Sequence, residues 1–326
     1  MGYFYYRLNF KTPVHFGQCE QGGKLEKSGS GLTADTLFSA ICSELAEQGE
    51  LDLLARAVEL TKNGELLLSD MFPYVDDGGD EMYFLPRPFL FSPSPDKGSL
   101  SMSQAKEISN QRKITKKHQF IRISEFKAML QAMQKGEFYS PEKQLNELGK
   151  SSLVERVNCR KSEPLPYYVG QYIFAENAGL YGIVKMPKDY EEIFRSLLEA
   201  LGLSGIGGKR SSGYGRFELD GLFEIDDMVE DIKVLLDMLN NDKASVQMSI
   251  SVLKPDADEL EAVKSGEYQL KKRSGFTDNI KRDSVYMLAA GSCFKSRLKG
   301  SLADVSKDYG HPIWRYGKGL FVGLDI

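Results

Sequence analysis

The alternation of apolar and polar side chains predicts a strand at residues 3–10. Phe4, Tyr6, Leu8 and Phe10 share one face, and a period of two is typical of a strand with one buried face. The other face carries aromatic and polar side chains. We expect another element of the fold to cover that face, although exposed rings on a sheet also suit contact with RNA.

Helical spacing of apolar residues follows at residues 33–48, with Thr33 as a candidate N-cap and Gly49 as the stop. A second apolar helix is predicted at 51–61. Strands are then expected at 65–74 and 81–91, joined by the acidic and glycine-rich turn at 76–80.

A hairpin is predicted next, with strands at 167–174 and 180–186 and a turn through Gly179. The helix at 190–201 is expected to begin at an Asp189–Glu192 capping box and to end at Gly202. A strand at 216–223 completes the order strand, helix, two strands, insertion, helix, strand. This order predicts an α+β ferredoxin-like (RRM-like) unit over residues 1–225.

Three further segments complete the predicted domain organisation. Residues 92–165 read as an insertion, since 106–122 hold six Lys or Arg against one acid and show little periodicity. A helix within 226–243 is expected to link to a second, smaller ferredoxin-like domain at 244–326.

Composition restricts the class of protein. The 326 residues are 41% hydrophobic and carry a net charge of −4, which is typical of a globular protein without a generally basic surface. The four cysteines and three histidines show no metal-ligand spacing, so we expect free thiols and neither metal nor cofactor. No signal peptide and no apolar run of membrane-spanning length are recognisable, so we expect a cytoplasmic protein without a membrane partner.

The segment with the most specific chemistry is Leu203–Arg216. Five of its fourteen residues are glycine, three are Lys or Arg, and none is acidic. Glycines let backbone N–H groups converge on an anion, so we predict a phosphate cradle; a flexible surface turn is the alternative. The predicted binding residues are Gly207, Gly208, Lys209, Arg210, Ser211, Ser212, Gly213, Tyr214, Gly215 and Arg216. Tyr214 is equally suited to stacking on a base and to a place in the core.

Nucleotide-binding enzymes fit this loop poorly. A Walker A loop would need glycine at position 203 and Ser or Thr at position 210, which are Leu203 and Arg210. A dinucleotide fingerprint starting at Gly205 also fails at Arg210. Both loops run from strand to helix, whereas the order predicted here is helix, loop, strand.

The loop, read together with other segments, resembles a known family. Gly205–Phe217 is similar to the glycine-rich motif of the RAMP superfamily of CRISPR RNA-binding proteins. Six further segments resemble subunit four of the type III-A Csm complex: Pro13–Gly17, Ala34–Ile41, Leu85–Pro88, Arg156–Arg160, Ala290–Phe294 and Tyr316–Gly319. The resemblance runs along the whole chain, although it is loose at 92–150 and position 159 is Cys.

This resemblance implies tandem ferredoxin-like domains with a thumb-like insertion. It also implies a non-catalytic subunit of the effector complex in antiviral defence. Such a subunit would grip the repeat-derived 5′ tag of the guide RNA (crRNA). It would dock the large polymerase/cyclase-like subunit and adjoin the repeating backbone subunit.

Other candidate RNA contacts lie outside the loop. Arg156, Asn158 and Arg160 are expected near the tag, Arg87 is held between two prolines, and Lys271–Arg273 forms a basic cluster that RNA or the large subunit could contact. His15 suits an RNA-contacting or structural role. It is also the base required by the alternative, a metal-independent endoribonuclease that processes the guide precursor. Asp35 is expected to lie in the first turn of its helix, where its negative charge interacts favourably with the helix dipole.

Overall fold

The computed structural model describes residues 1–17, 25–91, 101–103, 106, 109–110, 118–141, 145, 148–159, 164–225, 229–277, 280–306 and 310–325; at 276–277 and 280–281 it describes the backbone alone. Most of the basic stretch at 106–122 therefore lies outside the described residues, as do Cys19 and Arg160.

The described residues form both helices and strands. The helices with described bounds are α1 (Ala34–Gln48), α2 (Leu51–Asn63), α3 (Phe126–Gln134), α4 (Glu191–Ser204), α5 (Glu230–Asn240) and α6 (Leu260–Lys264). The strands are β1 (Gly2–Phe10), β2 (Phe16–Gly17), β3 (Ser28–Gly29), β4 (Leu67–Leu68), β5 (Phe72–Asp77), β6 (Asp80–Pro86), β7 (Phe120–Arg122), β8 (Gly149–Asn158), β9 (Leu165–Phe174), β10 (Ala178–Met186), β11 (Phe217–Glu224), β12 (Val246–Ser249), β13 (Leu270–Arg273), β14 (Phe276–Thr277), β15 (Ile280–Lys281), β16 (Val285–Leu288), β17 (Cys293–Phe294), β18 (Ala303–Asp304), β19 (Trp314–Arg315) and β20 (Phe321–Leu324).

The main sheet has the antiparallel order β11-β1-β10-β5-β6-β7, and β4 pairs with β10 off this path. The strand predicted at 3–10 is confirmed as β1, which lies between β10 and β11. Phe4, Tyr6 and Leu8 pack with α1 and α4 in one apolar core. Tyr5 belongs to a second core with α3, α5 and strands β12 and β20, so the second face is covered, as predicted.

The predicted hairpin at 167–186 is wrong, although both of its strands exist. β10 pairs with β1 on one side and with β5 and β4 on the other. It therefore has no free edge for β9, which pairs along its full length with β8. The result is a two-stranded arm, β8–β9, whose strands carry many exposed side chains.

The strand predicted at 65–74 is interrupted. The N–H of Ser69 donates to Ile183 O at 2.9 Å and the N–H of Asp70 donates to Ile250 O at 2.9 Å. Between β4 and β5, the chain therefore leaves the main sheet and bonds to the segment that follows β12. The β5–β6 hairpin predicted around residues 76–80 is confirmed, but β6 ends at Pro86.

Helix ends also differ from the predictions in part. Gly49 and Gly64 end α1 and α2 in the left-handed conformation, as expected. Thr33 makes no capping bond; Asp70 Oδ1 instead accepts the Ala34 N–H at 2.8 Å. The predicted capping box of α4 is absent, and α4 continues through Gly202 to Ser204.

The C-terminal segment packs against the main sheet. β12 lies between β17 and β20, and α5 buries Ile232, Leu235 and Leu239 in the core that Tyr5 shares. In the part of the chain that the structure describes, no helix is long and apolar enough to cross a membrane. Within the same residues, Cys42, Cys159 and Cys293 are free thiols, and no cluster of potential metal ligands occurs.

Candidate nucleic-acid interface

The glycine-rich loop lies between α4 and β11 and is fastened to residues 13–16. The N–H of Gly208 donates to His15 O at 2.9 Å, and the N–H of Gly215 donates to Pro13 O at 2.9 Å. Ile206 is fully buried, and its N–H donates to Gly215 O at 2.9 Å. The loop is therefore a packed element of the core edge, and the alternative of a flexible turn does not describe it.

Its glycines serve close backbone approach. A Cβ at Gly215, whose φ is +76°, would lie 2.0 Å from Ile206 O, and one at Gly207 would lie 2.8 Å from the Phe16 ring. The N–H groups of Gly208, Gly213 and Gly215 all donate to protein carbonyls. The predicted convergence of these three amides on a phosphate is therefore wrong, because their donors are already used.

The cationic side chains of the loop remain at its surface. Lys209 adopts a left-handed conformation with φ of 64°, and its Nζ lies 5.2 Å from the centre of the Tyr167 ring. Arg210 Nη2 lies 3.8 Å from Glu44 Oε2 and 3.6 Å from Glu47 Oε2. Ser211, Ser212 and Arg216 are exposed. The loop therefore offers charge and hydroxyl groups to a ligand more than backbone donors.

Tyr214 is a core residue of the loop. It is 4% exposed, and its hydroxyl donates to Gln171 Oε1 at 2.8 Å. Its ring is not presented for stacking on a base. The Arg156 Nη2 lies 3.4 Å from the same hydroxyl, so Tyr214 connects the loop to the arm.

The β8–β9 arm lies against the glycine-rich loop. Arg156 contacts the Tyr214 hydroxyl and the Tyr167 ring faces Lys209, while Asn158 lines a small pocket together with Lys209. The arm is held near its middle by Gly170, whose N–H donates to Leu25 O at 2.7 Å. Leu153, Val157 and Leu165 are each at least half exposed along the arm. The arm therefore presents apolar surface and cations side by side, a combination suited to a nucleic-acid strand.

His15 is buried at 7% exposure, and its Nδ1 lies 2.7 Å from Gly170 O. A carbonyl oxygen only accepts, so Nδ1 donates the proton. The same residue accepts the Gly208 N–H through its own carbonyl. His15 thus connects three segments: the N-terminal strand end, the arm and the loop.

Arg87 lies away from this group of residues. Its N–H donates to Gln119 O at 2.9 Å beside the end of β6, and burial lowers the pKa of its guanidinium. It is not among the described residues that line the cleft next to the loop.

That cleft has a volume of about 820 Å³ and two unlike walls. Gly207, Gly208 and Arg210 line one wall together with His15 and the serine-bearing face of α1. The other wall comes from the C-terminal segment and carries Lys271, Arg273, Arg282 and Arg315. The structure therefore brings Lys271 and Arg273 of the predicted basic cluster into the lining of the same cleft as the predicted loop. Sequence reasoning missed Arg282, which follows Lys281 in a short basic pair, and Arg315, which stands between Trp314 and Tyr316.

Asp35 is the one carboxylate among the described residues that line this cleft. Its Oδ2 accepts from Arg273 Nε and from Arg315 Nη1, each at 2.8 Å. Burial alone would raise the pKa of Asp35, but the two guanidiniums outweigh burial and lower it. Asp35 therefore joins α1 to the C-terminal segment, which is a larger role than the predicted contribution to the helix terminus.

Comparison with known proteins identifies the family. Residues 242–324 match the family model described as the CRISPR Csm4 C-terminal domain. The chain is 31% identical to the CRISPR system Cms protein Csm4 of Streptococcus thermophilus, over all of both chains. It is 32% identical to the protein of the same name from Mycobacterium tuberculosis, covering 98% of this chain and 97% of that one.

Solved structures share the fold. A chain in the crystal structure of the Csm3–Csm4 subcomplex of the type III-A CRISPR-Cas interference complex superposes with a TM-score of 0.66 at 16% identity, over the full length of both chains. A chain in the Csm1–Csm4 cassette bound to cA4 gives 0.60 at 18% identity, over 100% of this chain and 99% of that one. The chain belongs to the Csm4 family, and the predicted resemblance is confirmed.

Proposed function

We propose that this chain is a non-catalytic RNA-binding subunit of a type III-A CRISPR effector complex. In this role it binds the repeat-derived 5′ tag of the guide RNA and docks the large polymerase/cyclase-like subunit. The observation that carries the proposal is the cleft between the glycine-rich loop and the C-terminal segment. Five Lys or Arg side chains and one carboxylate are found among the described residues that line it.

The charge of the cleft suits a polyanion. The whole chain has a net charge of −4, so its cations are not a general property of the surface. In the cleft, however, five Lys or Arg side chains lie beside Ser39 and Ser43 of α1, which also line it. Lys, Arg and Ser side chains are the groups that bind RNA phosphates without reading sequence.

The finer architecture supports the same family role. The order β11-β1-β10-β5, formed with α1 and α4, is the arrangement of a ferredoxin-like sheet. We infer that residues 244–326, with β17-β12-β20 at their centre, form a second, smaller unit of the same type, preceded by α5. The β8–β9 arm then corresponds to the thumb-like insertion.

Protein partners follow from the family. The solved relatives are found in a Csm3–Csm4 subcomplex and in Csm1–Csm4 cassettes. We expect this chain to contact the equivalents of both, which are the repeating backbone subunit and the large subunit. As part of that complex, the chain would be located in the cytoplasm.

A metal-independent endoribonuclease would need His15 to act as a base on a 2′-hydroxyl. The side chain of His15 is buried, and its Nδ1 already donates to Gly170 O. Its bonds to the arm and, through its carbonyl, to the loop favour a structural role. We therefore favour the non-catalytic subunit.

The test is binding of RNA by the chain co-expressed with its large-subunit partner. One labelled RNA carries the repeat-derived 5′ tag and the other a scrambled tag. Binding of each RNA is measured on gels at two salt concentrations, and the same gels show whether the RNA stays intact. Preferential binding of intact tagged RNA is expected. A Lys209→Glu/Arg210→Glu variant should bind more weakly and with a smaller salt dependence. Metal-independent cleavage that disappears with His15→Ala would instead establish the endoribonuclease.

A further inference from the structure

The guanidinium of Arg315 has donors that the fold does not use. Arg315 is 7% exposed, and its Nη1 donates to Asp35 Oδ2. Its Nε and Nη2 are buried and have no acceptor in the described part of the chain. Buried donors in proteins are normally hydrogen-bonded, so two without an acceptor on one side chain point to a ligand that supplies one.

The geometry of these donors specifies the kind of acceptor. Nε and Nη2 form one edge of the planar guanidinium, and that edge binds two oxygens of one phosphate or carboxylate in parallel. Arg315 lines the cleft, and Asp35 fixes its other edge. Because Asp35 also accepts from Arg273 at 2.8 Å, the orientation of Arg315 is set before any ligand arrives.

The surroundings of Arg315 favour an anion over a neutral group. Lys271 and Arg282 line the same wall, and Arg210 faces them from the glycine-rich loop. Arg282 Nη2 lies against the backbone of Gly275, where an added Cβ would be 2.8 Å away. Asp35, the one carboxylate among the described lining residues, is already shared between two arginines, so the described lining holds more cations than carboxylates.

We propose that Arg315, oriented by Asp35 and supported by Lys271 and Arg282, binds a backbone phosphate of the guide RNA in the cleft between the two units. This inference rests on the proposed function and extends it. The RNA is held between the glycine-rich loop of the first unit and a guanidinium wall of the second. RNA binding is then coupled to the packing of the two units, because the phosphate contacts groups of both.

The experiment measures fluorescence anisotropy of a 3′-labelled RNA that begins with the repeat-derived tag, using the full chain with its large-subunit partner over a range of salt. The variant Lys271→Met/Arg282→Met removes two cations and leaves the Asp35 ion pairs intact. We expect roughly tenfold weaker binding and a salt slope smaller by about 1.4, since each contact to single-stranded RNA contributes about 0.7. Lys243→Met, an exposed change in the turn before β12, is the matched control and should leave both unchanged.

Arg315→Lys tests the anchor itself. Lysine keeps a charge beside Asp35 but lacks the two-donor edge, so we expect weaker RNA binding by about tenfold with a melting temperature close to that of the wild type. If Arg315→Lys unfolds the chain, the Lys271→Met/Arg282→Met result decides alone.

Each remaining outcome overturns a different statement. If both cleft variants bind normally while Lys209→Glu/Arg210→Glu does not, the second wall does not contact RNA and the proposed function stands. If all three bind normally, the proposed function itself is wrong. If the cleft variants bind RNA but lose the large subunit, the wall is a protein contact. If inorganic phosphate raises the melting temperature of the wild type but not of Arg315→Lys, and RNA binding does not change, the site holds a free anion only.

Discussion

The two walls of the cleft obtain positive charge by different means. On the loop wall, glycines pack backbone against backbone, and the N–H groups of Gly208 and Gly215 are used within the protein. On the other wall, Arg315 keeps two buried donors that find no acceptor among the described residues. The first wall is complete without a ligand, whereas the second is not.

This difference separates the shape of the site from its capacity to bind. A glycine-rich sequence suggests an anion nest, yet here glycine permits the loop to lie close enough to residues 13–16 to form one side of a cleft. The capacity for an anion comes from side chains whose positions depend on the contact between the two units. Substitutions that affect shape should therefore change stability, and substitutions that affect charge should change binding.

The largest effect is expected at Gly215. A methyl group there would lie 2.0 Å from Ile206 O, a backbone atom that cannot move alone, and φ is +76°. We expect Gly215→Ala to lower the free energy of unfolding by roughly 3–5 kcal/mol, as measured by urea denaturation.

Gly213→Ala is the matched control for this change. Its φ is +81°, but nothing lies within 4 Å of an added Cβ. Only the left-handed backbone is penalised, so we expect a loss of about 1 kcal/mol. Equal losses at the two positions would contradict the view that close packing explains the glycines of this loop.

Sequence patterns predicted the first unit well where local physics decides the outcome. The period-two run of β1, the apolar faces of α1 and α2 and the glycine stops at Gly49 and Gly64 all depend on neighbouring residues. The position of the glycine-rich loop between a helix and a strand was also correct. These features need no knowledge of distant segments.

Several of the errors share one cause, which is pairing over a long distance in the sequence. β9 pairs with β8 because β10 has partners on both edges, and no local pattern reports that. Asp70, which is 36 residues from Ala34 in the sequence, caps α1 where Thr33 was expected to do so. Arg315 meets Asp35 across 280 positions, so its place in the cleft was invisible in the sequence.

A second effect is expected at Asp70, which connects the two units behind the cleft. Asp70 Oδ1 accepts the N–H of Ala34 at 2.8 Å and that of Val252 at 3.0 Å. Burial raises the pKa of this carboxyl to about 6, against the lowering effect of Lys271 and of the two N–H groups, while Asp35 adds to the rise.

The sign of the pH dependence follows from that raised pKa. The folded state binds the proton more tightly than the unfolded state, so stability falls as pH rises from about 4 to about 6 and is level above that. Asp70→Asn keeps an acceptor oxygen and removes the titration. We expect the wild type to lose roughly 3 kcal/mol relative to Asp70→Asn across this window, measured by urea denaturation at several pH values. Parallel curves for the two proteins would contradict this account.

The smallest effect is expected at Lys209, a single residue that combines a left-handed backbone with a charged side chain. Lys209 is the one non-glycine residue with positive φ in the described ranges, at 64°, and a left-handed backbone costs a residue with a Cβ about 1 kcal/mol. Lys209→Gly should therefore be more stable than Lys209→Ala by about 1 kcal/mol, as measured by thermal or urea denaturation. Both variants lose the Nζ that lies over the Tyr167 ring, so both should bind RNA more weakly and to the same extent. If RNA binding instead followed stability, with Lys209→Gly close to the wild type, the loop would act through its backbone after all, and the contrast between the two walls would be wrong.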